Sequence, residues 1–312
     1  MVYVIILNWN GAADTIACLD SLKRLRKTAL KVIVCDNKSI DDSWSRLNQY
    51  VSMSDELDIQ LVQTGSNLGF AGGNNVGLRI ALADPRMEYA WLLNNDTEVD
   101  IDALQALLDY MAVHPEVGIC GSTLLYADDP SQIQAIGGKY NPWLGSSRHL
   151  LGHQPYRRSL VDSFNQDDID YVVGASLFVR RSVLEKVGLM SEEYFLYYEE
   201  IDWATRMKRL IPGGKLGFAP DSIVLHKEGS STQVNDRLNK TYRYSSDYFF
   251  ITSRLKFSRK YFPLHSIVVQ ASMLWVALNR LRRGQVKSAW VALCCFCGFD
   301  PFWLDPRHQV ER

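Results

Sequence analysis

The chain has 312 residues, of which 47% are hydrophobic, enough to bury one large core or two smaller ones. This composition is typical of a globular protein. The six cysteines show no complete zinc-site pattern and fit reduced thiols in the cytosol, so no disulfide framework is expected. The net charge of −1 hides an asymmetry, because residues 237–312 contain 13 Lys/Arg against 4 Asp/Glu. An acidic body is therefore followed by a basic C-terminal region.

Strands and helices alternate in the first hundred residues. Short apolar runs predict strands at 2–7, 31–35, 59–62 and 89–93, and helical spacing of apolar residues predicts helices at 14–25, 41–53 and 74–83. The first run is too short for a signal peptide, so no targeting segment is expected. Strands that alternate with helices predict βαβ units and a mostly parallel sheet, and therefore an α/β fold.

Each of the four predicted strands ends in polar residues or glycines. Ligands of open α/β sheets bind at the carboxyl ends of the strands, so these residues are candidates for a polar, phosphate-bearing ligand. Taken alone, a cluster of Asn and Asp is more often a simple turn. The strand ends carry, in chain order, Asn8 and Asn10, then Asp36, then a glycine-rich segment at 65–77, then Asn94, Asn95 and Asp96.

The glycine-rich segment is interpreted as a strand-to-helix loop. Glycines such as Gly72 and Gly73 let backbone N–H groups approach an anion, and the following helix adds its dipole. The spacing is neither GxGxxG nor that of a P-loop. The expected guest is a diphosphate, and the alternative is a structural turn.

Four motifs in register carry a family resemblance. They are Asn-Trp-Asn-Gly at 8–11, Cys-Asp-Asn-Lys-Ser at 35–39, Asn-Leu-Gly-Phe-Ala-Gly-Gly-Asn at 67–74 and Leu-Asn-Asn-Asp-Thr at 93–97. Together they resemble the family 2, GT-A fold glycosyltransferases, in the rhamnosyltransferase-like and galactofuranosyltransferase-like branch. The resemblance runs from residue 2 to about 226. It implies a Rossmann-like, mostly parallel sheet flanked by helices. The residues that follow predict a C-terminal helical extension.

The resemblance implies a donor side and a metal. Asp36 would accept a hydrogen bond from a pyrimidine base, and Asp96 would be the last residue of the DxD metal motif, whose first position is Asn94 here. His226, which ends a predicted strand at 222–226, matches the metal-binding histidine of the family, although a lone His is more often structural. Oxygen ligands and a diphosphate point to Mg²⁺ or Mn²⁺. The other nucleotide-sugar-binding candidates are Asn8, Asn10, Asn67, Gly72, Gly73, Asn74 and Asn95.

The second half supplies the acceptor side. Residues 170–180 predict a strand with Gly174 in its interior, where a ligand can come close. A helix then opens with Glu199, Glu200 and Asp202, which the helix dipole alone would explain. The segment is similar to the acidic motif of the family, and this makes Glu200 the general base, with Glu199 as the alternative. Gly174, Asp202 and Trp203 are the acceptor-binding candidates. The long segment 128–168 is interpreted as a connection that shapes the acceptor pocket, and residues 229–232 as a loop that closes over the donor.

Residues 1–236 are expected to form the catalytic domain, with a nucleotide-sugar half at about 1–125 and an acceptor half at about 126–236. Residues 237–312 predict basic, aromatic helices, and their apolar stretch at 264–278 is shorter than the ~20 residues needed to span a membrane. This region suits either attachment to an anionic membrane surface or packing as a helical subdomain or homodimer interface. It has no nucleic-acid recognition motif. The expected location is cytoplasmic, peripheral at the inner face of the cell membrane.

The function that these features predict is an inverting, metal-dependent glycosyltransferase of surface polysaccharide synthesis. The favoured donor is dTDP-rhamnose, and UDP-galactofuranose, UDP-galactose and UDP-N-acetylglucosamine remain alternatives. The acceptor would be a saccharide or a polyprenyl-linked glycan. A sugar-nucleotide pyrophosphorylase is an alternative of the same fold class, but it would be expected to have a GxGTR-like loop after the first strand. This chain has Asn-Trp-Asn-Gly at 8–11 instead. A non-catalytic nucleotide-sugar-binding adaptor is the alternative of another class, because Asn94 weakens the metal motif.

Overall fold

A nine-stranded mixed sheet organises the first part of the computed structural model, which describes residues 1–26, 29–227 and 240–309. The strands are β1 Val2–Asn8, β2 Leu30–Asp36, β3 Ile59–Gln63, β4 Tyr89–Asn94, β5 Thr97–Val99, β6 Val117–Tyr126, β7 Ile133–Ala135, β8 Gly138–Asn141, β9 Ser146–His149, β10 Ser176–Arg180 and β11 Lys215–His226. The helices are α1 Ala12–Lys23, α2 Ser43–Met53, α3 Gly69–Ala83, α4 Ala103–Val113, α5 Arg158–Asp162, α6 Arg181–Val187, α7 Glu199–Leu210, α8 Lys240–Tyr261, α9 Pro263–Arg282 and α10 Val286–Phe296.

The strand order is β3-β2-β1-β4-β10-β6-β11-β5, with β7 paired to β6, while β8 and β9 form a separate pair. Strands β3, β2, β1 and β4 are parallel neighbours, so their carboxyl ends meet at one edge. Strand β10 is antiparallel to β4 and β6, and β5 is antiparallel to β11. The α/β class and the parallel first half predicted from the alternating pattern are confirmed.

Helices cover both faces of the parallel strands. On one face, Val4 and Ile6 of β1 belong to an apolar core shared with Leu19 of α1 and Leu107 of α4. On the other face α3 lies against β1, where a Cβ added to Gly77 would be 2.7 Å from a side-chain carbon of Ile5. Because helices cover both faces of the sheet at β1, side chains on both sides of this strand are buried, and its sequence is an unbroken apolar run.

The structure adds elements that the sequence pattern did not predict. Strand β6 contains Gly118 and Gly121, which weaken the strand signal, and both pack closely on apolar side chains. The segment 128–168 is not one long connection, because it contains β7, β8, β9 and α5. The strand predicted at 170–180 is also shorter, and Gly174 lies in a turn before β10 rather than inside it.

The chain divides into two compact units, each with its own core. The first contains residues 1–139, 148–193 and the described residues 199–227, and the second contains 140–147, 194–198 and the described residues 240–309. The second unit thus takes two short segments from the range expected to be catalytic. Its three helices α8, α9 and α10 enclose Phe249, Val269 and Val291. Within the described part of the chain, none of the helices is both long enough and apolar enough to span a membrane.

Candidate active site

Three of the predicted side chains lie at the carboxyl edge of the parallel strands. Asn8 ends β1, Asp36 ends β2 and Asn94 ends β4. Asn8 pairs in register with Asp36, and Asn94 pairs with Leu7. This edge is where ligands of open α/β sheets bind. The row of polar side chains is therefore built by strand register, as the sequence predicted, and the ligand role of each stays a prediction.

Asp36 is a buried acceptor at the centre of this edge, with 0% of its surface exposed. One carboxylate oxygen accepts from Asn8 Nδ2 at 2.7 Å and from the Ser39 hydroxyl at 2.6 Å. The other accepts from Gln63 Nε2 at 2.8 Å and from the backbone N–H of Ser39 at 3.2 Å. One of these donors would have to move before Asp36 could accept a hydrogen bond from a base, and its role in donor binding stays a prediction.

The asparagines predicted around Asp36 connect loops in this structure. Asn8 is buried and accepts from the Thr15 hydroxyl at 2.8 Å, and Asn95, also buried, donates to the same hydroxyl at 3.2 Å. Asn10 accepts from the backbone N–H of Ile40 at 2.8 Å. The side chains of Asn8 and Asn95 are thus buried beneath the carboxyl edge of the sheet. Thr15 joins them through its hydroxyl, and sequence reasoning did not identify it as part of this hydrogen-bond network.

Asn67 holds the start of α3. Its side-chain oxygen accepts from the backbone N–H of Gly69 at 3.1 Å and from Asn37 Nδ2 at 3.0 Å, while Asn37 accepts from the N–H of Leu68 at 2.9 Å. These bonds occupy N–H groups that a helix start leaves without internal partners. The N–H groups of Phe70 and Ala71 complete the first turn, and they are the ones placed to meet an anion.

Gly72 and Gly73 lie inside α3, which begins at Gly69, and not in a loop as predicted. A Cβ added to Gly73 would be 2.3 Å from Leu7 Cδ1 of β1. Asn74 is buried and its side chain donates to the carbonyl of Phe70 in the same helix at 2.9 Å. Gly73 therefore allows close packing of helix on strand, whereas a Cβ added to Gly72 would be 2.7 Å from Leu68 Cβ. Helical hydrogen bonding occupies the N–H groups of both glycines.

Asp96 and His226 come together at the end of β4. Asn95 and Asp96 form the turn between β4 and β5, and β5 pairs with β11 so that Thr97 faces His226. His226 Nε2 is 3.2 Å from Asp96 Oδ1 and 3.3 Å from Asn94 Nδ2. Both the carboxylate and the ring are buried. The pairing of β5 with β11 thus brings together the two predicted metal ligands and the first position of the predicted motif.

Gln134 orients the histidine ring. Its side-chain oxygen is 2.7 Å from His226 Nδ1, and the residue is buried in β7. With the proton on Nδ1 and donated to Gln134, the Nε2 lone pair points to the side of Asp96. Gln134 lies within the segment 128–168, and no local pattern marks it, because its partner is 92 residues away.

The residues present fit a divalent cation. A ligand oxygen and nitrogen that occupy adjacent positions of an octahedron with bonds of about 2.1 Å are about 3.0 Å apart, close to the separation of Asp96 Oδ1 and His226 Nε2. Among the described residues no third His, Cys, Asp or Glu completes a cluster with them. Mg²⁺ and Mn²⁺ commonly use few protein ligands and take the rest from substrate phosphates and water. Asp96 and His226 match that pattern.

Glu199 and Glu200 open α7 as an acidic pair. Burial, and secondarily the charge of Glu200, raise the pKa of Glu199 well above its ordinary value, and burial raises the pKa of Glu200 to about 7. Oε2 of each residue has no hydrogen-bond partner in the described part of the chain. Glu199 is 4% exposed, whereas Glu200 is only partly buried. Glu200 is therefore the more accessible carboxylate, and its pKa lies where a general base at neutral pH works best.

Two of the three acceptor candidates are buried in this structure, and their role toward an acceptor stays a prediction. Asp202 is fully buried and forms a 2.6 Å ion pair with Arg206, which also donates to the backbone carbonyls of Val187 and Leu189. Trp203 is fully buried as well, and its indole N–H donates to the carbonyl of Gly188 at 2.9 Å. Both residues therefore anchor α7.

Gly174 is partly exposed, and a Cβ there would be 3.2 Å from the ring of Phe70, so it stays a candidate beside the start of α3. The loop predicted at 229–232 lies outside the described residues.

Comparison with known proteins places this edge in a family. The family model described as glycosyl transferase family 2 matches residues 3–188, which is more than half of the chain. The chain is a family 2 glycosyltransferase. The matched region contains every strand end described above except that of β11.

This family 2 glycosyltransferase is similar to two curated relatives. One is the low-salt glycan biosynthesis hexosyltransferase Agl10 of Haloferax volcanii, with 27% identity over 212 residues, which are 66% of this chain and 61% of the relative. This chain therefore matches less than two thirds of the length of that protein. The other is an N-acetylglucosaminyl-diphospho-decaprenol L-rhamnosyltransferase of Mycobacterium tuberculosis, with 26% identity over 256 residues, or 76% of this chain and 79% of the relative.

The fold is similar to a solved mannosyltransferase, PcManGT from Pyrobaculum calidifontis in complex with GDP-Man and Mn²⁺. The TM-score is 0.54 at 14% identity, over 94% of this chain and 85% of that one. The predicted GT-A fold is confirmed. At this identity the likeness concerns the fold alone.

Proposed function

We propose that this family 2 glycosyltransferase is an inverting, metal-dependent enzyme that uses a pyrimidine-diphosphate sugar. The observation that carries the proposal is the convergence of Asn94, Asp96 and His226 at the carboxyl edge of the sheet. Two of these side chains offer metal-ligand atoms 3.2 Å apart, and Gln134 aims the histidine. An adaptor that only bound a nucleotide sugar would not need Glu200 as a general base in addition to this oriented pair.

Asp96 and His226 would hold Mg²⁺ or Mn²⁺, which when bound neutralises the negative charge that develops on the departing diphosphate. Gln134 keeps the ring of His226 in the required tautomer, as outer partners of metal-binding histidines do. The N–H groups in the first turn of α3 add positive potential for the same diphosphate. The chain thus presents separate groups to the donor phosphates.

Glu200 is proposed to be the general base. As the acceptor hydroxyl oxygen bonds to the anomeric carbon, its proton passes to a Glu200 carboxylate oxygen, and the bond from that carbon to the diphosphate oxygen breaks with its electrons. Attack from the side opposite the leaving group inverts the configuration. A pKa of about 7 leaves Glu200 a stronger base than an exposed carboxylate and still substantially ionised at neutral pH.

L-Rhamnose from dTDP-rhamnose is the favoured donor sugar, supported by a rhamnosyltransferase among the relatives. UDP-linked galactofuranose, galactose and N-acetylglucosamine are the alternatives. The proposed acceptor is a saccharide or a polyprenyl-linked glycan of surface polysaccharide synthesis. Because a lipid-linked acceptor lies in a membrane, the proposed location of the enzyme is the inner face of the cell membrane.

Calorimetric titration tests the donor class. We expect dTDP, UDP and their sugars to bind more tightly with Mn²⁺ than without it, and GDP and GDP-mannose to bind poorly in both conditions. Turnover with the best donor, measured as nucleotide release with a polyprenyl-linked acceptor, then tests the reaction. Donor binding without any turnover would favour the adaptor, and metal-independent binding would contradict the role of Asp96 and His226.

Single substitutions test the division of roles. Asp96→Ala and His226→Ala should weaken Mn²⁺-dependent donor binding by about tenfold or more, because each removes a ligand. Glu200→Gln should bind donor as the wild type does and lose about 100-fold or more in kcat, because the amide cannot take the proton. Glu56→Gln, at an exposed position, is the matched control. Equal loss of donor binding in all three site variants would refute the assignment.

A further inference from the structure

Helix α9 of the second unit is apolar on two opposite faces. Val269, Met273 and Ala277 point into the core that α9 shares with α8 and α10. The other side also repeats at helical spacing, and it is exposed to solvent. We call this side the α9 face, and it consists of Leu264, Ile267, Val268, Leu274, Trp275 and Leu278.

The α9 face is strongly exposed, with 81% of Leu264, 70% of Ile267 and 67% of Trp275 accessible to solvent. A helix that is apolar all round is ordinarily buried on all sides. An exposed apolar surface of this extent marks a protein-protein or membrane contact. The α9 face therefore requires a covering surface that lies outside this unit.

The charged residues near the α9 face indicate which kind of surface covers it. Residues 263–299 contain four basic residues and no Asp or Glu. Arg280 of this set pairs with Asp247 at 2.6 Å, but Arg282 and Arg283 are exposed at the C-terminal end of α9. Lys287, at the start of α10, is also exposed, with its Nζ 5.6 Å from the ring centroid of Tyr244. A second copy of helices α9 and α10 would bring no acidic side chain to them, and the exposed Asp300 follows directly after this range. Anionic lipid headgroups supply that negative charge.

The positions of three exposed tryptophans also favour a membrane surface. Trp275 lies on the α9 face, and Trp290 on α10 is 55% exposed. Trp143 is 60% exposed and lies beside the start of α9. The centroid of its ring is 4.3 Å from the centroid of the His265 ring. Tryptophan is enriched at the membrane-water interface, where its apolar ring and its N–H are both satisfied.

We propose that the α9 face docks in the plane of an anionic membrane. Leu264, Ile267 and Trp275 would enter the boundary between headgroups and acyl chains, and Arg282, Arg283 and Lys287 would contact the headgroups. Docking of this kind uses one face of a helix and no membrane-spanning segment. It goes beyond the transfer reaction, since it needs neither donor nor metal, and it would bring the enzyme to a lipid-linked acceptor.

Co-sedimentation of the full chain with vesicles of phosphatidylcholine, with and without 30% phosphatidylglycerol, tests the proposal without any nucleotide. The wild type should bind the anionic vesicles, and Ile267→Ser/Trp275→Ser should bind about tenfold or more weakly. Met53→Ser/Val113→Ser, which removes two exposed apolar side chains from the first unit, should bind as the wild type does. Equal binding by the α9-face variant and the wild type would overturn the proposal.

Three further measurements test the charges, the alternative occupant and the depth of insertion. Arg282→Gln/Arg283→Gln should lose the preference for anionic over neutral vesicles, and a retained preference would refute the role of these charges. Light scattering after gel filtration reports the oligomeric state, and a wild-type dimer that Ile267→Ser/Trp275→Ser dissociates, with no vesicle binding, would assign the face to a second copy. Brominated lipids should quench the tryptophan fluorescence of the wild type more than that of Trp275→Phe. Equal quenching of the two proteins would exclude insertion of residue 275 into the membrane.

Discussion

Side chains in the candidate site are held by partners that are distant in the sequence. Asp36 is fixed by Asn8 and Gln63, and His226 by Gln134, each from a different strand. A buried polar group is costly unless it is hydrogen-bonded, so these partners determine where each functional atom points. The consequence at the residue scale is that Gln134 should affect metal binding without touching the metal.

Gln134→Leu should weaken Mn²⁺ binding in the presence of dTDP by about tenfold, because the ring of His226 loses the acceptor that fixes its tautomer. Gln134→Glu keeps an acceptor oxygen and should bind Mn²⁺ more tightly than Gln134→Leu does. Electron paramagnetic resonance of Mn²⁺ measures the affinity directly. Gln60→Leu, at an exposed position of β3, is the control. If Gln134→Leu lowered only the melting temperature and left Mn²⁺ affinity intact, Gln134 would be merely structural.

At the scale of elements, the glycines of α3 set the distance between a helix and a strand. Gly73 and Gly77 pack on Leu7 and Ile5 of β1, and the helix start is held by Asn67 and the neighbouring Asn37. Close approach of α3 to β1 positions the first turn of the helix at the same edge as the strand ends. The motif is therefore explained by packing and helix capping together.

Gly73→Ala should destabilise the protein by about 1–3 kcal/mol, because the new methyl group overlaps the side chain of Leu7. Leu7→Ala in the same chain should relieve the overlap, so the double variant should be more stable than the sum of the single effects predicts. Urea unfolding measures this cycle, and calorimetry measures dTDP binding in each variant. A double variant that recovers packing but not dTDP binding would instead support a direct role of Gly73 in holding the diphosphate.

At the scale of the whole molecule, the acidic pair at the start of α7 links global stability to pH. The pKa of Glu199 is raised in the folded chain by burial and by the charge of Glu200, from an ordinary value of 4.5. The folded state therefore binds more protons than the unfolded state above that pH. The stability that the protonated pair contributes is fully present below about pH 4.5 and is lost as pH rises through the raised values.

Glu199→Gln should gain stability relative to the wild type as the pH rises from 5 to 8, because the amide has no charge to bury. The melting temperature of the variant should exceed that of the wild type by a few degrees at pH 8 and should differ little at pH 5. Differential scanning fluorimetry across this range measures both. Glu56→Gln, at an exposed position, should show no such trend, and a constant offset for Glu199→Gln at all pH values would contradict the linkage.

Local patterns in the sequence were sufficient for the strands β1 to β4, the polar residues at their ends and the family motifs. These features depend on periodicity and on residues close in the chain, such as the apolar run before Asn94. The helices of the second unit were also predictable, because apolar and basic residues recur at helical spacing. The family to which the chain belongs therefore followed from the sequence alone.

Only the tertiary structure decided which side chains meet and which are buried. The contact of His226 with Gln134, the burial of Asp202 and Trp203, and the position of Gly73 inside α3 all depend on packing between distant segments. An acidic or aromatic residue near a motif has the same local signal whether it faces a ligand or the core. The exposed α9 face is the converse case, because its residues look like core in the sequence and only the packed helices show which side has no cover.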